Sequence, residues 1–328
     1  MKKLLGLAVF LGLLYGAMVL AVFRNSEPGD FADNLSLNNL NLAKRIGHFG
    51  IISLGAALVI IIGGIDLSIG SVVALSSTVL AILLMDPGYG WPPILAIITV
   101  LAIGALIGLV HGLLITKIKM NAFVVTLCGL FIYRGIARTL AANQSKGLAD
   151  QFVDLRNVLY ADPVFGLPRF LIILLILAAL FAVFLHVSVF GRYLFAIGSN
   201  ERAVQYAGIN TDRYKALAYV LCSTLAAFFG ILFLMENNSV RPSADGNFYE
   251  LYAIAGAVLG GCNLRGGEGN ILGILMGTTI LWLLPNLTNL WGVPSEVEFI
   301  VIGGALLLGA ILDEVLRSRS AGRQEGQA

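Results

Sequence analysis

One carboxylate interrupts a long uncharged run. In IIIGGIDLSIGSVVAL, residues 60–75, Asp66 is the only Asp, Glu, Lys or Arg between Arg45 and Asp86. At the centre of a lipid-facing helix an ionised Asp costs about 2.5–3.5 kcal/mol or more, so this one must face protein, water or the membrane surface. Two chemistries suit it. It can touch an ion or a polar substrate in a transport path, with Ser68 and Ser71 beside it as further oxygen-bearing candidates. Alternatively it can serve the backbone. Gly63 and Gly64 each lower helix propensity by about 0.8–1.0 kcal/mol relative to Ala, which favours a break. After that break Asp66 suits the N-cap of a helix starting at Leu67-Ser68-Ile69, where it would accept orphan N–H groups and complement the dipole. Capping is the simpler reading, and an ion or substrate contact stays open.

The second half of the chain carries an echo. GGIDLSIG, residues 63–70, written above GGCNLRGG, residues 260–267, matches Gly63 with Gly260, Gly64 with Gly261, Asp66 with Asn263, Leu67 with Leu264 and Gly70 with Gly267. Internal repeats with interrupted helices recur in transporters, and channel filters also use such breaks, so the echo does not choose a mechanism.

The elements that must position these residues follow from composition. Of 328 residues 58% are hydrophobic and 12% charged, far from the usual roughly 25% charged of soluble domains. A net charge of +2 with dispersed Lys and Arg gives no basic patch for nucleic acid. About 20 apolar residues span a bilayer. Runs of that kind fall at 4–23, 46–63, 67–85, 92–116, 121–141, 168–187, 214–235, 251–262, 269–288 and 296–314, which predicts an all-α polytopic membrane protein of about ten spans. The first run is too long for a signal-peptide core and is expected to be retained. Lys2, Lys3, Lys117, Lys119, Arg192, Arg202, Arg213, Lys215, Arg265, Arg317, Arg319 and Arg323 share one side if the N-terminus is cytoplasmic, and both ends then read as cytoplasmic. A permease domain over 1–316 and a polar tail over 317–328 are expected. The 38 glycines include GALIGLVHG and GILMG, whose i, i+4 spacing lets helices pack closely.

Phe190 to Lys215, FGRYLFAIGSNERAVQYAGINTDRYK, is the most charged internal stretch on the predicted cytoplasmic side. It encodes a short helix with Asn200 as cap, Glu201 in the first turn and Gly208 at the left-handed end. Two turns do not hold alone in water, so this helix needs a partner. Other chemistry lacks support. No phosphate-binding G-x-x-x-x-G-K-[ST] motif occurs. His48, His111 and His186 are dispersed, and Cys128, Cys222 and Cys262 read as free buried thiols rather than metal ligands.

Four segments together resemble a known family: GGIDLSIGS at 63–71, AFVVTL at 122–127 with Arg134-Gly135, GRYLFAIGSNERAVQYAGI at 191–209, and YELYAIAGAVLGGCNLRGGEGNILG at 249–273. The chain is similar to the permease subunits of bacterial ABC importers for ribose, xylose, galactose and autoinducer-2. The resemblance implies an inner-membrane permease paired with a second copy or a homologue and seated on ATP-binding subunits. It further implies sugar delivered by a periplasmic binding protein, with ATP and Mg²⁺ held by the partner ATPase and no cofactor in this chain. It places the ATPase-docking segment on Gly198, Asn200, Glu201, Arg202, Ala203, Gly208 and Ile209. Interrupted-helix or path candidates are Gly63, Gly64, Asp66, Ser68, Ser71, Gly260, Gly261 and Asn263; Tyr249 and Glu250 are expected at the periplasmic mouth. Three positions depart from the family: Tyr252 replaces an acidic residue, Asn121 a common Pro, and Ala203-Val204 the usual paired alanines. A carrier driven by H⁺ or Na⁺ through Asp66 is the competing expectation, and a passive channel or structural subunit a third.

Overall fold

The computed structural model describes residues 2–85, 89–148, 152–160, 163–164, 166–294, 297, 299–304 and 307. In chain order the helices are α1 (Lys2–Asn25), α2 (Phe31–Ile61), α3 (Ile69–Met85), α4 (Pro93–Thr116), α5 (Ala122–Leu140), α6 (Val153–Tyr160), α7 (Arg169–His186), α8 (Val189–Tyr206), α9 (Thr211–Asn237), α10 (Tyr249–Leu259) and α11 (Ile271–Leu290). Two-residue strands β1 (Lys146–Gly147) and β2 (Ser239–Val240) pair antiparallel. Those strands and α6 were not expected from hydropathy.

Among the described residues seven helices are long and apolar enough to cross a membrane: α1 from Leu4, α2, α4, α5, α7, α9 and α11. Helices α3 and α10 are apolar but have 17 and 11 residues, short of the roughly 20 of a full span. The run expected at 296–314 is helical over 299–304, and most of its remainder lies outside the described residues, as do Arg317, Arg319, Arg323 and the polar tail. Helix boundaries differ where polar residues extend a helix that hydropathy cuts short. Helix α2 starts at Phe31 instead of near 46, because FADNLSLNNLNLAKR contains no Gly or Pro and offers Asp33 to the positive first turn.

The chain divides into two compact units, one of residues 1–42 with 279–328 and the other of residues 43–278. In the first, α1 packs beside the start of α2. The Asn38 and Asn286 amides hydrogen-bond reciprocally at 3.3 and 2.8 Å. In the second, α3 is buried on nearly all sides, as an apolar helix without a polar face should be. The GALIGLVHG stripe packs α4 onto α9. A Cβ at Gly104 would meet Ala227 and the Ser223 carbonyl, one at Gly108 the backbone of Tyr219 and Val220, and one at Gly112 the Ala216 carbons. Only hydrogen at these positions permits that approach. Helices α4, α5 and α7 meanwhile expose Ile94, Ile98, Leu106, Phe131, Ile132, Ile176 and Leu180. Apolar faces on helices of spanning length suit lipid or another membrane subunit.

Candidate functional site

The glycine pair does end a helix. Gly63 N–H donates to the Ile60 carbonyl at 2.8 Å and Gly64 N–H to the Val59 carbonyl at 2.9 Å, the paired closure of a helix whose next residue is left-handed. Gly63 supplies that residue with φ +77°, a conformation that a Cβ disfavours. Residues 62–68 then run without helix to α3. Within this first break Asp66 Oδ1 accepts the Ser68 N–H at 2.8 Å and the Ser68 hydroxyl at 2.6 Å. Helix α3 begins at Ile69, two residues later than expected, and Val72 N–H bonds to the Ser68 carbonyl. Asp66 thus holds Ser68, the residue before the helix, rather than capping the first turn itself.

Asp66 is 2% exposed, and its Oδ2 has no hydrogen-bond partner among the described residues. The carboxylate lies within electrostatic reach of His111, Tyr133, Tyr219 and Cys222. His111 Nε2 and the Tyr133 hydroxyl share a hydrogen bond of 2.9 Å, and a Cβ at Gly64 would strike the Tyr219 hydroxyl. Ser71 is buried, with its hydroxyl unpartnered among the described residues.

The second break, residues 260–270, repeats these devices with an offset. Gly261 N–H donates to the Val258 carbonyl at 2.8 Å and Cys262 N–H to the Ala257 carbonyl at 3.0 Å, closing α10. The left-handed residue is Gly261, φ +90°, whereas Gly260 has φ −69°. Equivalence of the helix ends therefore pairs Gly63 with Gly261, one position away from the sequence match. Asn263 Oδ1 accepts the Arg265 N–H at 3.1 Å, the same i to i+2 bond that Asp66 makes to Ser68. Yet α11 is capped by Asn270, whose Oδ1 accepts Leu272 N–H at 2.9 Å and Gly273 N–H at 3.4 Å.

The short helix after Asn200 has the ends written in its sequence. Helix α8 breaks at Asn200 (φ −159°, ψ 91°), whose Oδ1 accepts Ala203 N–H at 3.0 Å. Gly208 has φ +79°, with its N–H on the Gln205 carbonyl and the Ile209 N–H on that of Val204. Glu201 is not free: Lys215 Nζ lies 3.0 Å from Oε2, and the Thr211 hydroxyl donates to Oε1 at 3.2 Å. Arg202, Ala203 and Asn200 are exposed and Ile209 half-buried. Tyr206, absent from the sequence-based candidates, is 90% exposed. It follows Arg202 by four residues, so the two share a helix face while Val204 is buried. That spacing was the available signal.

Three segments meet at glycines. Gly267 N–H, in the second break, donates at 2.8 Å to the carbonyl of Ile61, the last residue of α2. A Cβ at Gly198 would strike both that carbonyl and the Gly267 nitrogen. Of the two residues expected at the periplasmic mouth, Glu250 is buried and Tyr249 half-buried. Glu250 is buried beside Gly70 and within electrostatic reach of Arg134, whose guanidinium donates to the Pro242 carbonyl at 3.1 Å and to that of Asp245. Tyr249 is ringed by Phe49, Phe229 and Phe233. Nearby, Asp245 accepts the Arg241 N–H at 2.7 Å and its guanidinium at 2.9 Å, which raises the Arg241 pKa.

The remaining candidates are packing groups. His48 Nδ1 lies 2.7 Å from Glu236 and its ring lies against Phe170. Cys222 and Cys262 are buried and free, but Cys128 is exposed rather than buried.

Comparison with known proteins fits this geometry into a family. The family model described as branched-chain amino acid transport system / permease component matches residues 38–310. The ribose import permease protein RbsC of Bacillus subtilis (strain 168) is 37% identical over 318 residues, covering 96% of this chain and 94% of that protein. RbsC of Escherichia coli (strain K12) is 35% identical over 90% of each chain. The xylose transport system permease protein XylH of Escherichia coli (strain K12) is 31% identical over 97% of this chain and 94% of its own. No solved structure matches the chain. With its interrupted apolar helices matched almost end to end by import permeases, the chain belongs to the branched-chain amino acid transport system / permease component family.

Proposed function

We propose that this chain is the membrane-spanning subunit of an ATP-driven importer that moves a monosaccharide or similar small polyol across the bacterial inner membrane. The observation that carries this is the near end-to-end similarity to permeases named for ribose and xylose import. In this reading about ten spans place both termini in the cytoplasm, a second permease copy or homologue completes the path, and a periplasmic binding protein delivers the sugar. ATP and Mg²⁺ act in separate cytoplasmic subunits.

The short helix from Glu201 to Tyr206 is the docking element for those subunits. Its ends are closed by Asn200 and Gly208, and the Glu201–Lys215 pair ties it to α9. Arg202 and Tyr206 project outward, and Arg and Tyr are residues that commonly anchor interfaces. A push on this helix is delivered to α9 through Ile209–Thr211 and, through Gly198, to the two breaks.

The test is reconstitution with the ATPase and binding protein in vesicles. Uptake should require ATP, and Arg202→Glu with Tyr206→Ala should abolish ATPase co-purification and uptake while leaving the melting temperature unchanged. The competing carrier, driven by H⁺ or Na⁺ through Asp66, has in its favour a buried carboxylate whose Oδ2 meets no hydrogen-bond partner of ordinary geometry among the described residues. Uptake driven by an ion gradient without ATPase would establish the carrier and overturn the importer.

A further inference from the structure

The three segments singled out in the sequence, GGID, GSNERA and NLRGG, converge on a single backbone hydrogen bond. Gly267 N–H to Ile61 carbonyl, 2.8 Å, ties the second break to the end of α2. Gly198 lies against both atoms of that bond so closely that no Cβ fits. The contact is reciprocal. A Cβ on Gly266 would stand 2.8 Å from the Gly63 nitrogen and 2.9 Å from the Gly198 carbonyl, one on Gly63 would stand 3.4 Å from the Arg265 carbonyl, and one on Gly267 would strike the Ser199 hydroxyl. Four glycines from three distant parts of the sequence thus form a backbone-on-backbone junction. It lies two residues before the Asn200 bend in α8 and five residues before Asp66.

Backbone in direct contact transmits displacement without the slack of side-chain rotamers, because packed interiors do not deform continuously. We infer that the Gly63–Gly198–Gly266–Gly267 junction makes the end of α2, the second break and the N-terminal segment of α8 a single moving body. A shift of the docking helix then reaches both chain breaks at once. From Gly63 the shift passes along residues 64–68, where Asp66 clamps Ser68, to α3. These glycines are positioning residues for transport, and the inference rests on the docking role proposed above.

The test uses the chain in complex with its ATPase, with Cys128→Ser and spin labels on pairs drawn from Arg192→Cys (α8), Leu264→Cys (second break) and Phe123→Cys (α5), all exposed. Between the nucleotide-free and vanadate-trapped complexes the 192–264 distance should stay constant while 192–123 and 264–123 change in parallel. A change in 192–264, or a trapped complex in which neither distance to 123 moves, overturns the junction. The native glycines are kept in this arm, so folding of a glycine variant does not limit it. In a second arm Gly266→Ala, in the junction but outside the docking segment, should retain ATPase co-purification but lose transport roughly 5–150-fold, the range of typical coupling energies. Gly135→Ala, at a glycine with nothing within 4 Å of its would-be Cβ, should match the unmodified chain. Wild-type transport by Gly266→Ala would refute the inference. Co-purification of the ATPase with the unmutated chain reports on the docking role separately.

Discussion

The two chain breaks use the same local chemistry in opposite surroundings. Each closes a helix with a left-handed glycine and then turns on a side-chain oxygen that accepts the N–H two residues on. In the first break that oxygen belongs to Asp66, buried with Ser68, Ile69 and Gly70 around it. In the second it belongs to Asn263, half-buried, with Leu264 and Arg265 exposed. The difference explains the choice of residue. An exposed turn needs only one neutral acceptor, since water serves the rest. The buried break must satisfy both the N–H and the hydroxyl of Ser68, and a carboxylate oxygen accepts both more strongly than an amide does.

This contrast can be broken by substitution. Asp66→Leu should have the largest effect, destabilising the protein by at least about 3 kcal/mol, because two buried donors lose a charged acceptor; thermal melting in lipid nanodiscs reads it. Gly64→Ala should cost about 1–3 kcal/mol through overpacking against the Tyr219 hydroxyl. Adding Tyr219→Phe should recover part of that loss, and strict additivity in the double-mutant cycle would refute the contact. Asn263→Ala, in the exposed break, should cost about 0.5–1.5 kcal/mol; a loss equal to that of Asp66→Leu would erase the distinction between the breaks. Asp66→Asn should do least, under about 1 kcal/mol, because Oδ1 remains, and vesicle uptake should continue. Lost uptake at full stability would instead make Asp66 a path residue.

Much of this site was legible from single residues. The short helix between Asn200 and Gly208 was readable because its boundaries depend on local chemistry: Asn200 bonds three residues ahead, and Gly208 adopts a conformation that other residues avoid. The first break was readable for the same reason at Gly63. The start of α3 was misplaced by two residues because Asp66 and Ser68 are both good caps, and only the path of the chain shows that one holds the other. The echo was aligned on letters, Gly63 with Gly260, whereas the helix ends align Gly63 with Gly261. Adjacent glycines do not declare which of them turns left-handed.

The sequence by itself determined that the chain crosses a membrane repeatedly, that its helices are broken at glycines, and that one short helix stands apart with both ends capped. Those properties come from hydropathy and from bonds spanning two to five residues. Tertiary structure alone decided that Glu250 is buried beside Gly70, that Tyr206 stands clear of the protein, and that Gly198 rests on the Ile61–Gly267 hydrogen bond. The first and the last depend on groups tens to hundreds of residues apart being brought within a few ångströms and the second on none being brought there, and residue type at one position carries no record of its distant neighbour.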